Sequence, residues 1–394
     1  MKKVIPIIIF SFIVCCFSQS NAQDMKKLID ENFEFAVKQY KVLAKNTPAD
    51  KMPRTYEAKE DKFVYSDLDW WTSGFYPGTL WYIYEQTKNN EIKAEAERRL
   101  TVLERQKRYT GNHDIGFMIF CSFGNALRIT GNEAYRPTID TAAMTLLLRY
   151  RPYVQGIQSW NTSRAFGCPI IIDNMMNLEL LCWVSDRTNR PIFRDIAIEH
   201  ANVTMRDHYR PDYSSYHAVD YDINTGKVLK KVTWQGLKDE SAWARGQAWG
   251  LYGFTMMYRM VKDPRYLEQA KNISEFLINH PNLPADGVPY WDFNDPEIPN
   301  ALRDVSAASI IASALLELGQ LAPENQKKYV AKAELILRSL SSDKYRAKYG
   351  ENGGFILMHS VGSIPHKSEI DVPLTYADYY FIEALLRYKN WYLK

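Results

Sequence analysis

Apolar residues along the chain recur in long blocks, and the blocks come in pairs. In each pair the first block is apolar nearly all round and rich in small residues, while the second carries a single apolar stripe at helical spacing. WWTSGFYPGTLWYIYEQ leads into KNNEIKAEAERRLTVL, and IGFMIFCSFGNALRI leads through Thr130-Gly131-Asn132 into EAYRPTIDTAAMTLLLRY. NMMNLELLCWVSD leads through Arg187-Thr188-Asn189-Arg190 into PIFRDIAIEHANVTM, and SAWARGQAWGLYGFTMMYRM into KDPRYLEQAKNISEFLI. RDVSAASIIASALLELGQ is followed by APENQKKYVAKAELILRSL, and the last apolar block, PLTYADYYFIEALLRY, finds its partner in the amphipathic segment 25–43. A helix apolar on every side is buried, and one with a single stripe faces solvent. Six such pairs arranged in a ring close on themselves, which predicts an all-α (α/α)6 toroid of six inner and six outer helices. Its inner helices run parallel, so their N-terminal ends gather at one mouth, and Asp114 and Asp173 are expected there.

One segment departs from helical spacing. SSYHAVDYDINTGKVLKKVTWQG alternates polar and apolar residues around Asn224-Thr225-Gly226 and reads as a β-hairpin on the rim. Asp220, Asp222 and Asn224 are spaced as in a calcium loop. The glycine comes one position late, however, and Lys231 stands where a bidentate Glu is needed, so no calcium site is expected.

The N-terminus reads as a signal peptide over 1–22. Lys2 and Lys3 precede an apolar run over 4–14, and Ser20-Asn21-Ala22 supplies small residues for cleavage before Gln23. That run is too short to span a bilayer. The chain is therefore expected to be exported and periplasmic; Cys15 and Cys16 leave a lipoprotein anchor open, although Phe12-Ile13-Val14 is a poor lipidation signal. Residues 23–394 are expected to form a single catalytic domain. Beyond the leader only Cys121, Cys168 and Cys182 remain, an odd number that implies free thiols. A net charge of +3 with interspersed signs gives no nucleic-acid surface. Aromatic residues are 13% of the chain, including 26 Tyr and 10 Trp, which suits stacking on sugar rings as well as a large helical core.

No HExxH, GxGxxG, P-loop or GxSxG motif occurs, and no histidine pair is spaced for metal binding on a helix. No metal and no cofactor are expected. What remains is carboxylates among aromatics. Asp173 follows three isoleucines in PIIIDNMMN, where a charge is costly to bury. It reads either as a helix N-cap or as a catalytic group. Asp114, after His113, stands at the equivalent point of the preceding pair, and two such carboxylates favour catalysis. Trp71, Trp160 and Trp249 lie where inner helices begin, although core packing is the commoner fate of Trp. Arg245 requires an anionic partner, from the protein or a ligand. His217 on the hairpin and Gln235 at its exit read equally as ordinary surface residues.

The stretches WTSGFYPGTLW, NHDIGFM, IIIDNMMNLELL, SSYH, WARGQAWGLYGF, DGVPYWDF, RDVSAAS and ADYYFIEALLR follow one another from Trp70 to the C-terminus. In them the chain resembles glycoside hydrolase family 88, the unsaturated glucuronyl hydrolases. The resemblance implies the same toroid and an activity on unsaturated oligosaccharides. Such enzymes remove the 4,5-unsaturated uronic acid that polysaccharide lyases leave at a non-reducing end, by hydrating its double bond. It implies that Asp173 is the general acid and base and Asp114 a second essential carboxylate. It also implies that Trp71, His113, Trp160, His217, Gln235, Arg245 and Trp249 line the sugar pocket. Ser360, Ser363 and Lys367 resemble a serine and lysine set of members that prefer sulfated glycosaminoglycans, with a longer gap before the lysine. That points to chondroitin, hyaluronan or heparin disaccharides, although Lys367 reads nearly as well as a solvated loop residue. Ala377 departs from the family, which often has Gly there.

Two alternatives stand beside this reading. One is an unsaturated rhamnogalacturonyl hydrolase of family 105, acting on pectin fragments, against which the HD and IIID motifs argue. The other is a non-catalytic periplasmic sugar-binding protein, which would not need two buried carboxylates. On the catalytic reading, burial and a neighbouring carboxylate are expected to keep Asp173 protonated, with Asp114 ionised.

Overall fold

The computed structural model describes the backbone of residues 7–393 and the side chains of 23–393. The signal peptide expected over 1–22 falls outside the residues whose side chains are described. Twelve helices are seen among the described residues. The outer ones are α1 (Ile7–Asn46), α3 (Asn90–Leu103), α5 (Arg136–Leu147), α7 (Pro191–Asp207), α9 (Pro264–Asn279) and α11 (Gln326–Leu340). Among the inner ones, α2 spans Phe75–Thr87, and α4 begins as wide π turns over Gly116–Gly124 and continues as Asn125–Thr130. Helix α6 begins as 3-10 turns over Ile172–Asn177 and continues as Leu178–Thr188. The inner set is completed by α8 (Ala244–Val261), α10 (Val305–Leu321) and α12 (Thr375–Tyr392). Each inner helix packs on the next, and α12 packs back on α2, so the ring is closed.

Burial follows the pattern of the sequence. Every residue of α8 from Ala244 to Met257 is buried, as is every residue of α10 from Val305 to Gly319. Helix α9 buries only Tyr266, Gln269, Ala270, Ile273, Ser274 and Leu277, one stripe spaced three to four apart. The pair turns have a local cause. Lys88, Gly131, Asn189 and Lys262 end their inner helices in the left-handed conformation that closes a helix C-terminus. Three of them are followed at once by a capping side chain: Asn89 and Asp263 cap the start of the outer helix, and Asn132 caps the 3-10 turn that leads into α5.

The rim carries short strands. β1 (Met52–Glu57) pairs with β2 (Lys62–Ser66), and β3 (Tyr150–Arg151) with β4 (Gly156–Ile157). β8 (Ser360–Ser363) pairs with β9 (Ser368–Val372). The hairpin expected around Asn224 is β6 (Ala218–Tyr221) with β7 (Val228–Val232). A third strand, β5 (Cys168–Ile171), joins its edge. That strand takes in residues 169–171, whose structure the sequence left unassigned: a short apolar stretch does not by itself distinguish a buried strand from a helix. Asp220 accepts the N–H groups of Gly167 and Cys168, and Asp222 those of Asn224 and Thr225, so these oxygens hold turns and strands. Cys121, Cys168 and Cys182 are free thiols. No helix among the described residues is long and apolar enough to cross a membrane.

Candidate active site

Four aspartates stand at the N-terminal ends of inner helices, and they fall into two kinds. Asp304 caps α10 by accepting from the N–H groups of Ser306 and Ala307. Asp378, in the first turn of α12, accepts the N–H groups of Ile356 and Leu357 and thereby ties down the loop before β8. Asp114 and Asp173 do neither: among the described residues, no backbone N–H donates to their carboxyl groups. The capping position before the turn that holds Asp173 is Ile171, which makes no side-chain cap. Asp173 is therefore a buried carboxylate, 7% exposed, with no backbone hydrogen bond among the described residues to account for it.

Local structure brings the two together. Gly116 sits where a Cβ would meet the Asn177 backbone at 2.7 Å, so only glycine lets α4 approach α6 this closely. Asn177 then accepts the Phe117 N–H at 2.9 Å. The π turns of α4 begin at Gly116, just after Asp114; such irregular turns are frequent at functional sites.

Histidines face both carboxylates. His113 Nε2 lies 3.4 Å from Asp114 Oδ1, and His217 Nε2 lies 3.4 Å from Asp173 Oδ2. His217 Nδ1 accepts the N–H groups of Trp234 at 3.3 Å and Gln235 at 3.0 Å. A neutral imidazole with Nδ1 accepting carries its proton on Nε2, so His217 presents an N–H toward Asp173. The ring is held in place by stacking on Trp243 at 4.5 Å.

These partners set the charges, and they overturn the expectation that Asp173 holds the proton and Asp114 is ionised. Burial first, and then the negative charge of Asp173, push Asp114 up to about 8. Burial also pushes Asp173 upward, but His217, with help from Arg245, more than offsets it, and the net direction is down. Burial holds His113 down at about 4, so it is neutral. These directions favour Asp114 over Asp173 as the group that keeps a proton. The difference came from His217, whose donor tautomer is fixed by backbone contacts distant in sequence.

Two of the aromatic candidates, Trp71 and Trp249, belong to one wall. Trp71 packs on Phe117 at 5.7 Å and on Tyr376 at 5.0 Å, and Phe117 packs on Trp249 at 5.3 Å. Trp160 lies elsewhere on the rim, where its backbone bridges Asn112 and its ring meets Trp234 at 5.9 Å. Gln235 contributes a backbone N–H to His217. Arg245 finds its anion within the protein, Asp304 at 3.2 Å, and donates to the carbonyls of Val361 and Gly362. It thus ties α8 to β8. Ser360 is fully buried. Ser363 is committed to His366 Nδ1 at 2.7 Å, and Lys367 alone of that set is exposed, in the β8–β9 turn with φ 51°. Trp243, Asp304, Trp234 and His366 were not singled out from the sequence. Trp243 and Asp304 stand inside the motifs SAWARGQAW and RDVSAAS, but nothing local distinguished them from their neighbours.

A family model described as Glycosyl Hydrolase Family 88 matches residues 43–391. An unsaturated glucuronyl hydrolase of Formosa agariphila is 47% identical over 326 residues, covering 82% of this chain and 81% of that one. An unsaturated chondroitin disaccharide hydrolase of Streptococcus pyogenes is 34% identical over 345 residues, covering 86% of each. The crystal structure of an unsaturated glucuronyl hydrolase specific for heparin superposes with a TM-score of 0.90 at 45% identity, covering 92% of this chain and 97% of that one. With the toroid closed and the paired carboxylates at its mouth, the chain belongs to glycosyl hydrolase family 88 and is a glycoside hydrolase.

Proposed function

We propose that this enzyme removes the 4,5-unsaturated uronic acid from the non-reducing end of glycosaminoglycan oligosaccharides, by adding water across the double bond between carbons 4 and 5. The observation that carries the reading is the Asp114–Asp173 pair: Asp173 is buried and Asp114 nearly so, neither accepts a backbone N–H among the described residues, and Asp114 is pushed up while His217 holds Asp173 down. An enol ether needs a proton at carbon 4 and a negative group near the charge that then grows at carbon 5 and the ring oxygen. Passing the proton of Asp114 through Asp173 to carbon 4 supplies the first. It leaves Asp114 ionised, which supplies the second. Asp173, again a carboxylate beside the His217 N–H, takes a proton from water while the hydroxyl adds to carbon 5. The hemiketal so formed opens, and the leaving sugar departs by rearrangement.

Similarity to the heparin-specific enzyme favours heparin-type disaccharides over chondroitin-type ones. The same relatives argue against pectin fragments and against a purely binding role. Trp71, Trp160, Trp249, His113, His217 and Gln235 would border the uronate, and Arg245 would act by holding β8 in place. Export to the periplasm rests on the signal-peptide pattern read over 1–22. A panel of unsaturated disaccharides from heparin, chondroitin, hyaluronan and pectin lyases, followed by decay of the double-bond absorbance, tests the reading. The heparin-type substrate is expected to rank first, and decay with none of them would refute the function.

A further inference from the structure

Trp234 is a large aromatic left 42% exposed. Its N–H and that of Gln235 hold His217, which faces Asp173. Its ring meets Trp160 at 5.9 Å, and the Trp160 backbone bridges Asn112, two residues before Asp114. Trp234 is thus tied to both segments that carry the carboxylates. On its other side the ring meets His366 at 4.9 Å, from the turn between β8 and β9. His366 is itself pinned through Nδ1 to Ser363 Oγ at 2.7 Å, which leaves Nε2 without a protein partner. Phe166 packs edge-on to Trp234 at 5.3 Å and to Trp160 at 5.4 Å, fixing the cluster from behind. Two rim segments otherwise far apart in the chain are joined here by aromatic rings.

An exposed indole braced by three neighbouring rings has a recognisable use. Burial alone would favour tucking the ring away, and a mobile loop would not hold it at two carboxylate-bearing segments. A sugar ring presents C–H faces that pack on an indole, and the uronate must sit deeper, at the carboxylates. The next sugar, on the far side of the bond to be lost, then lies toward the rim.

We infer that Trp234, steadied by His366, is the stacking platform for the sugar that leaves, and so a specificity-determining residue. This rests on the function proposed above, and it adds the subsite that reads the second ring. The uronate itself does not touch Trp234. Substitution there changes the use of substrates that have a second sugar and spares those that do not.

The test compares an unsaturated disaccharide with the methyl glycoside of 4,5-unsaturated glucuronic acid, which keeps the reacting ring and lacks the second. In Trp234→Ala, kcat/KM for the disaccharide is expected to fall roughly 3- to 10-fold, the scale of one aromatic contact, mainly through KM. For the methyl glycoside it is expected to stay within twofold of wild type. Trp234→Phe is expected to recover much of the loss, which a role in folding or in holding His217 would not predict. Equal losses on both substrates, or no loss on either, would overturn the inference while leaving the hydrolase reading intact. Failure of the wild-type enzyme on both substrates would overturn the function and the inference with it. Thermal midpoints of the three proteins separate misfolding from loss of the contact, and titration of the disaccharide into Asp173→Asn with and without Trp234→Ala gives the same answer as a binding difference.

Discussion

The two ends of the toroid bury the same kinds of charged group and treat them differently. At the far end from the carboxylate pair, a cavity of about 710 Å³ is lined by Glu179, Glu317, Glu383, Arg259 and Arg387. There every one of those carboxylates meets a guanidinium. Arg259 contacts Glu179 at 2.7 Å and also Glu317, and Arg387 contacts Glu317 at 3.0 Å and Glu383 at 3.6 Å. Burial would raise Glu317, but the two arginines more than offset it and hold it below its ordinary value. At the other mouth the ion-pair contacts of Asp114 and Asp173 among the described residues are to His113 and His217 and to no guanidinium, and Asp114 rises to about 8. On the proposed mechanism the reactive end is the one whose carboxylates lack a guanidinium contact. Paired charges are locked in one protonation state over the ordinary pH range, and only the unpaired end can deliver a proton.

The largest expected effect tests the reactive end. Asp173→Asn and Asp114→Asn should each lower kcat by roughly 10²- to 10⁴-fold, the range of a lost general acid or base. Decay of double-bond absorbance gives the rate, and unchanged circular dichroism shows that the fold persists. Near-full activity in either variant would put the chemistry elsewhere. At the paired end, Arg259→Met should do the opposite, costing stability and sparing catalysis. Removing one partner of a buried pair strands its carboxylates; with Arg259 a third exposed and Arg387 still in place, roughly 2–3 kcal/mol of unfolding free energy should be lost. Denaturant unfolding measures it, and kcat per folded molecule should stay near wild type.

The pH dependence sharpens the contrast with a smaller effect. Asp114 is raised in the folded enzyme, so its proton is present below about 8 and lost above. The kcat/KM profile, which reports the free enzyme, should be flat below that value and fall tenfold per pH unit above it. The same shift makes Asp114 a stabilising group below its unfolded pKa of roughly 4, and that contribution fades as pH rises through the folded value. Asp114→Asn should therefore flatten the decline in thermal midpoint between pH 6 and pH 9. A wild-type rate that still rose at pH 9 would contradict the raised pKa.

Much of this was legible along the chain because its causes are local. Burial of one stripe or of all sides is written in helical spacing, as α9 and α8 show, and the pair turns are written in Lys88-Asn89, Gly131-Asn132 and Lys262-Asp263. The pairing of Asp114 with Asp173 was also legible, because both occupy the same point of consecutive repeats. Strand β5 was not, since its four residues became a strand only by pairing with β6. The distribution of the proton was not legible either. It depends on His217 Nδ1 being filled by the N–H groups of Trp234 and Gln235, which turns Nε2–H toward Asp173.

By itself, then, the sequence determined the ring of helix pairs and the two aspartates at its mouth, because periodicity and capping act over a few residues. Only the tertiary structure decided which aspartate holds the proton, that Arg245 answers to Asp304, and that Trp234 stands at the rim between Trp160 and His366. Those outcomes depend on distances between groups brought together by the closing of the ring, and electrostatic and aromatic contacts act over ångströms in space regardless of separation along the chain.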